Sequence, residues 1–246
     1  FVMNELEEQI DMIPHESTYR MHLGKKSVTF WRDLDRYLDE LTEVFPHQEK
    51  EIRALYRYAR DIYEKMIDMN RFPVPPTELP PIEGIKTALK APLTTIQMQR
   101  LMKMSGQDVV NKFITDPRVA NFFDFLVAVL TCCNVDESSA LIVLNIIIGT
   151  HLGGACYPSG SPQKFPDKLE KAIEKYGGQI VYRKMVEEVL IWKNKAYGVR
   201  LDDGTEITAD RIVSNADIWR LYGTLIKDKH IKPERKEWAQ NFDPTP

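Results

Sequence analysis

Apolar residues change their spacing several times along the chain, and each change predicts a different element. Between residues 9 and 30, Ile10 and Met12, then Tyr19 and Met21, alternate with polar neighbours. That is the period of a strand. Gly24-Lys25-Lys26 supplies a turn from which Val28 to Phe30 return, so an N-terminal β hairpin is expected. After Asp33, an N-cap candidate, the spacing lengthens: Leu34, Tyr37, Leu38, Leu41 and Phe45 share one helical face, and Pro46 stops it. A second helix over 47–69 carries Ile52, Leu55, Tyr56, Ala59, Ile62, Tyr63 and Met66. Phe72 to Pro81 then holds five prolines in ten residues, which excludes regular structure and predicts a surface connector. Helical spacing resumes over 85–90, 94–104, 106–114 and 117–133. A last helix follows the acidic turn Asp136-Glu137-Ser138-Ser139. Its body, Ala140 to Ile148, is apolar almost all round, so it is buried or faces an apolar ligand.

Beyond His151 the style is mixed. A short strand is expected at 155–157 and a helix at 168–176, closed by Gly177-Gly178. Short β segments follow at 179–182, 187–192, 196–201 and 205–208, with Asp202-Asp203-Gly204 as a hairpin tip, and a further strand at 209–213. The reading is α+β. It has a mostly helical domain with its own hairpin over 1–152, a strand–helix–meander–strand portion over 153–226, and a charged tail over 227–246.

Composition narrows the functions more than the fold. Net charge is −3, from 33 basic and 36 acidic side chains, which gives no electrostatic case for nucleic acid. The longest apolar runs, 125–133 and 140–149, are too short to span a bilayer. Cys132, Cys133 and Cys156 form no spaced framework and read as buried, reduced thiols of a cytoplasmic-type protein. The five histidines sit at no metal-ligand spacing, so no metal is expected; His151, beside a Gly-Gly pair, reads as structural. There is no nucleophile elbow and no Ser/His/Asp order. Nor is there a G-x-G-x-x-G turn of the kind that cradles a dinucleotide pyrophosphate.

Three segments carry a resemblance. Tyr157-Pro158-Ser159-Gly160-Ser161-Pro162-Gln163 is similar to a Tyr-Pro-x-Gly-Gly-x-Gln segment. Tyr182 to Val189 is similar to a strand followed by Val-x-x-Ile/Val. Ile212-Val213-Ser214-Asn215-Ala216 is similar to Val-Ile-Ser-Asn-Ala. Together they resemble the middle of the flavin-dependent phytoene desaturase, carotenoid isomerase and retinol saturase family. The resemblance implies an internal piece of an FAD enzyme, lacking the phosphate-binding turn, that belongs with the rest of a flavin domain. It implies a hydrophobic small-molecule substrate, hydride exchange with a conjugated polyene, NAD(P)H as an external reductant, and peripheral membrane attachment without a spanning helix. By position, the backbone of Val186 would meet the adenine edge, and Ser214, Asn215 and Ala216 would form a close-approach turn. Tyr157, Gln163, Leu144 and Ile148 would border the substrate pocket. Ser161 departs from the family glycine, which puts the shape of that loop in question. No catalytic residue is singled out. Two other readings stay open: an amine oxidase with a more polar substrate, and a non-catalytic lipid-binding or assembly module. Nothing in the residues alone names the substrate.

Overall fold

The computed structural model describes residue 6, residues 8–69 and residues 81–241. The proline-rich connector therefore lies largely outside the described residues. The fold is α+β, and the chain divides into two compact units, residues 1–166 and 167–246.

The first unit opens with β1 (Met12–Pro14), β2 (Ser17–Leu23) and β3 (Lys26–Trp31). β2 and β3 form the expected antiparallel hairpin, with Met21 opposite Val28 and Leu23 opposite Lys26. α1 (Leu34–Val44) starts at Asp33, whose carboxylate accepts from the Arg36 N–H at 3.0 Å, satisfying a helix donor that would otherwise have no partner. Glu40 fastens α1 to β3: its carboxylate accepts from Thr29 N (2.8 Å) and from the Trp31 indole N–H (2.5 Å). After a 3-10 turn at Pro46–Gln48 come α2 (Glu49–Met69), α3 (Pro81–Lys90), α4 (Pro92–Lys103), α5 (Gly106–Asn111), α6 (Pro117–Thr131) and α7 (Ala140–Leu152).

α7 is the hub of this unit: α2, α4, α5 and α6 all pack on it. Its buried residues are Ala140, Val143, Leu144, Ile147, Ile148 and His151, an i, i+3, i+4 stripe, while Ile142 is half exposed. A helix apolar on every side therefore still commits one face to the core. α6 adds Phe122, Phe123, Leu126 and Val127 to that core and leaves Phe125 and Val129 exposed.

β4 (Cys156–Pro158) returns to the N-terminus and pairs antiparallel with β1, Ile13 opposite Tyr157. This pairing explains why the division falls at 166 rather than at the 152–153 boundary expected from composition: the Gly-Gly turn and β4 are hydrogen-bonded to the first unit. The cysteines also differ from expectation, because all three are exposed. Cys132 closes α6 in the left-handed conformation (φ 58°), which turns it and Cys133 outward, and Cys156 sits on a two-stranded edge.

α8 (Lys164–Lys175) begins at the end of the first unit and runs into the second, where Gly177 (φ 79°) ends it. The second unit holds a three-stranded antiparallel meander, β5 (Val186–Trp192), β6 (Lys195–Leu201) and β7 (Glu206–Thr208), in that spatial order. Asp202-Asp203-Gly204 forms the tip between β6 and β7 as expected. Lys193 (φ 47°) and Asn194 (φ 60°) make the tight turn between β5 and β6. A short helix α9 (Ile218–Arg220), a π turn at Leu221–Leu225 and α10 (Pro233–Gln240) complete it.

Two expected strands do not form. Residues 179–182 are irregular, with Val181 and Tyr182 exposed, and Arg183 takes φ 57° just before β5. Residues 209–213 leave the sheet after one bond, Ala209 N to Tyr197 O (2.9 Å), and Val213 is 95% exposed. A strand needs a neighbour for its backbone groups, and neither segment has one among the described residues.

Candidate functional site

The site-forming part of the first unit is a cleft of about 760 Å³. Its walls are the β1–β2 link (Pro14, His15, Glu16), the β3–α1 link (Trp31, Arg32, Asp33) with Arg36, and the end of α7 (His151, Leu152). Each wall is fixed by backbone bonds. His15 N donates to Ala155 O (2.9 Å) beside the β1–β4 pair, and Arg32 N donates to Glu16 O (2.7 Å). The Arg36 guanidinium carbon sits over the Trp31 ring, 3.3 Å from its centre, while Glu40 holds the indole N–H. The Arg32 side chain is exposed and has no ion-pair partner among the described residues. Gly154 brings the chain past it: at φ 69°, a Cβ there would stand 3.1 Å from the Arg32 Nε.

Behind the cleft lies a cluster of aromatic rings. Phe30 stacks on Tyr19 (4.2 Å between centres), and Tyr37 meets the His151 ring at 4.4 Å. The Tyr37 and Tyr56 hydroxyls share a 2.8 Å hydrogen bond in the core. Burial pushes the Tyr19 phenol up to about 12, and raises the Tyr37 and Tyr56 phenols as well. His151 Nδ1 lies 2.6 Å from the Trp31 carbonyl. A carbonyl only accepts, so Nδ1 carries the proton and Nε2 is a bare acceptor. Nε2 and the Tyr19 hydroxyl are buried without a hydrogen-bond partner among the described residues. Burial lowers the His151 pKa and outweighs the bond to Trp31, so the ring is neutral at pH 7. No group of His, Cys, Asp and Glu among the described residues could hold a metal.

The residues singled out from sequence are distributed unevenly. Tyr157, half exposed on β4, meets His15 edge-on with ring centres 6.2 Å apart, which places it next to the cleft. Gln163 is exposed in the turn before α8, and its N–H donates to the Ser161 hydroxyl (3.1 Å). The positive φ of this loop falls on Gly160 (94°) and not on Ser161, so the serine is accommodated without strain. Leu144 and Ile148 are fully buried in the core; of α7, only His151 and Leu152 reach the cleft. In the second unit Val186 opens β5, and a bulge follows it before Glu188 pairs with Arg200. Ser214 and Asn215 are exposed, and the Ser214 hydroxyl accepts from the Ala216 N–H (3.2 Å). Asp217, not Asn215, caps α9, accepting from Arg220 N at 2.7 Å. Trp31, Arg32 and Arg36 escaped sequence reasoning. Their one signal was the dense polar-aromatic string Trp31-Arg32-Asp33 at a strand–helix junction.

The model for flavin containing amine oxidoreductases matches residues 22–244. The chain belongs to this family. Relatives of the flavin oxidoreductase family with similar sequences include a chloroplastic prolycopene isomerase from Daucus carota, 28% identical over 97% of this chain and 38% of its own length. They also include an all-trans-retinol 13,14-reductase from Danio rerio (27%; 87% and 34%) and a zeta-carotene-forming phytoene desaturase from Myxococcus xanthus (26%; 96% and 44%). The chain thus spans well under half the length of these curated relatives. An oxidoreductase from Methanosarcina mazei superposes with a TM-score of 0.64 at 19% identity, over 98% of this chain and 50% of that one, which establishes a shared fold.

The family's flavin can be tested against the residues here. β5 is an edge strand of the meander, and no backbone hydrogen bond is made on its outer side beside Val186 among the described residues. Residues 212–215 are irregular, and their backbone N–H groups are unpaired among the described residues. Both stretches suit part of a dinucleotide, which needs donor and acceptor backbone and small residues at close approach. The pyrophosphate turn is not in this sequence.

Proposed function

We propose that the protein carrying this chain is an FAD-dependent oxidoreductase that desaturates, saturates or isomerises a conjugated polyene of carotenoid or retinoid type. The observation that carries this reading is the set of relatives: across 87–97% of the chain, the similar proteins are named for carotenoids and retinol. Val186 and the turn Ser214, Asn215 and Ala216 would hold parts of the cofactor through their backbone. When bound, FAD supplies two-electron hydride exchange at a carbon–hydrogen bond, and NAD(P)H is the external reductant where the polyene is saturated. Arg32 and Arg36 are assigned to a polar group at one end of a ligand, because the cleft they border offers two guanidinium groups, that of Arg36 seated over the Trp31 ring, beside an aromatic face. Tyr157 and Gln163 are assigned to the entrance of the substrate slot. The reading needs a hydrophobic small-molecule partner and the remaining flavin domain, with the substrate delivered from a membrane surface.

The test is anaerobic flavin reduction. Carotenoid, retinol and amine candidates are offered to the FAD-loaded protein, and the flavin absorbance and polyene spectrum are followed. Flavin bleaching with a shift of the polyene bands is expected. Reduction by amines alone would transfer the assignment to an amine oxidase.

A further inference from the structure

We propose that the α1–α2 face carries a second binding site, for a small hydroxylated phosphate monoester. Arg53, Arg57 and Arg60, at i, i+4 and i+7, share one face of α2. They line a cavity of about 260 Å³ together with Leu34, Asp35 and Leu38 of α1 and Tyr56 of α2. None of these residues borders the cleft at Trp31 and His151, so the two cavities share no wall. Like charges on successive turns of a helix repel, and counter-charges relieve that repulsion. Only Arg53 has them. Its guanidinium donates to Asp39 (2.6 Å) and to Glu49 (3.0 Å), which ties α2 to α1. Asp61, on the next turn, is held by Lys65 (2.7 Å). Arg57 and Arg60 are exposed and have no ion-pair partner among the described residues.

Charge and size select the ligand. A phosphate monoester carries close to two negative charges at neutral pH and presents three strong acceptor oxygens. Two planar guanidinium groups supply the matching charge with paired N–H donors, a geometry that ammonium groups lack. Asp35 is the one carboxylate in the lining. An ionised carboxylate only accepts, so it repels a bare anion and suits a ligand that also brings a donor hydroxyl. The volume falls below the roughly 300–1,000 Å³ of a drug-sized ligand site, which limits the organic part to a few carbons. Leu34, Leu38 and Tyr56 are buried core residues, so the floor offers little apolar surface and no seat for an acyl chain. This site goes beyond the proposed oxidoreductase activity and is tested without it.

The experiment is titration calorimetry of the purified protein with glycerol 3-phosphate and with inorganic phosphate. Glycerol 3-phosphate should bind about threefold tighter or more, because a hydroxyl bonded to a charged group adds to the phosphate contacts. Arg57→Gln/Arg60→Gln should weaken that binding by about tenfold or more. Arg57→Lys/Arg60→Lys keeps the charge and loses the planar fork, so its affinity should fall between the two. Asp35→Ala should erase the preference for glycerol 3-phosphate over inorganic phosphate. Lys25→Gln/Lys103→Gln removes the same charge from exposed positions outside the cavity and should bind as the parent does. All the substituted side chains are exposed, so circular dichroism should show unchanged folding. The proposal is overturned if the parent does not bind glycerol 3-phosphate or binds the two phosphates equally. It is also overturned if the arginine variants bind as the parent does, or if the Lys25/Lys103 pair loses as much. None of these outcomes depends on whether a polyene is turned over.

Discussion

At the scale of single residues, the buried tyrosines and His151 make the sharpest expectations. Tyr37 and Tyr56 satisfy each other inside the core. Tyr56→Phe leaves the Tyr37 hydroxyl buried without its partner and should cost about 1–3 kcal/mol. Removing both hydroxyls should cost less than the two single changes added together, because the second removal takes away an already unpaired group. Urea denaturation of the four proteins in the cycle measures this, and strict additivity would contradict the shared bond. His151 gives a pH signature. Its folded pKa lies below the ordinary 6.5, so the unfolded chain takes up the proton first. Stability from this group is complete above pH 6.5 and is lost as the pH falls from there toward the folded value. His151→Gln should flatten that decline, and an unchanged pH profile would remove the buried imidazole as its source. Gly154→Ala tests the backbone beside the cleft. The Arg32 side chain can swing away from a new methyl, but φ 69° cannot be relieved, so a loss of about 1–2 kcal/mol is expected and should persist when Arg32→Ala is added.

At the scale of elements, α7 carries the packing, and the variants that test it differ in which side they touch. Leu144→Ala opens a cavity in a fully buried position and should cost about 2–5 kcal/mol. Ile142→Ala, two residues away on the exposed side, should cost well under 1 kcal/mol. Equal losses, measured by thermal or urea melts, would mean that α7 is covered on both sides. The same helix shows what the sequence could and could not reveal. Its existence, its start near Ser139 and its burial were legible from composition. Its working face was not, because an all-apolar segment carries no periodicity to read. The hairpin of β2 and β3, the capped α1 and the meander tip at Gly204 were also legible, since each is specified by neighbours in sequence. The strands expected at 179–182 and 209–213 misled because a strand is stabilised by a partner, and the partner's presence is not written in the segment. The cleft was illegible for a related reason: Trp31 and Arg32 meet His151 across about half the chain, and no local pattern announces that meeting.

At the scale of the molecule, burial is concentrated in the first unit, and the second has a short list of buried apolar residues: Ala172, Val189, Leu190, Leu201, Leu225 and Ala239. Its meander is laced instead by surface charge, with Arg200 reaching Glu188 (2.5 Å) and Glu206 (3.0 Å) and Lys227 also bonding Glu188 (2.5 Å). Exposed pairs of this kind contribute little apiece. Amide hydrogen exchange should follow the same division: slowest in α2 and α7, faster in β7, and fastest over 210–215, where backbone donors are unpaired among the described residues. Slow exchange at 212–215 in the protein alone would contradict their openness, whereas protection that appears only with added FAD would support the assigned cofactor contact.

The β1–β4 pair sets the order in which the molecule can be finished. Ile13 is synthesised well before Tyr157, with all the helices of the core between them, yet one wall of the cleft is fixed only when these two meet. Three residue pairs must close a loop that contains nearly all of the first unit, so the closure comes after the helices have condensed and is the least reinforced step. A growing chain therefore has a packed helical core long before it has a binding cleft. The mature protein should reopen there first, parting at the strands that joined last and leaving α7 and its neighbours intact.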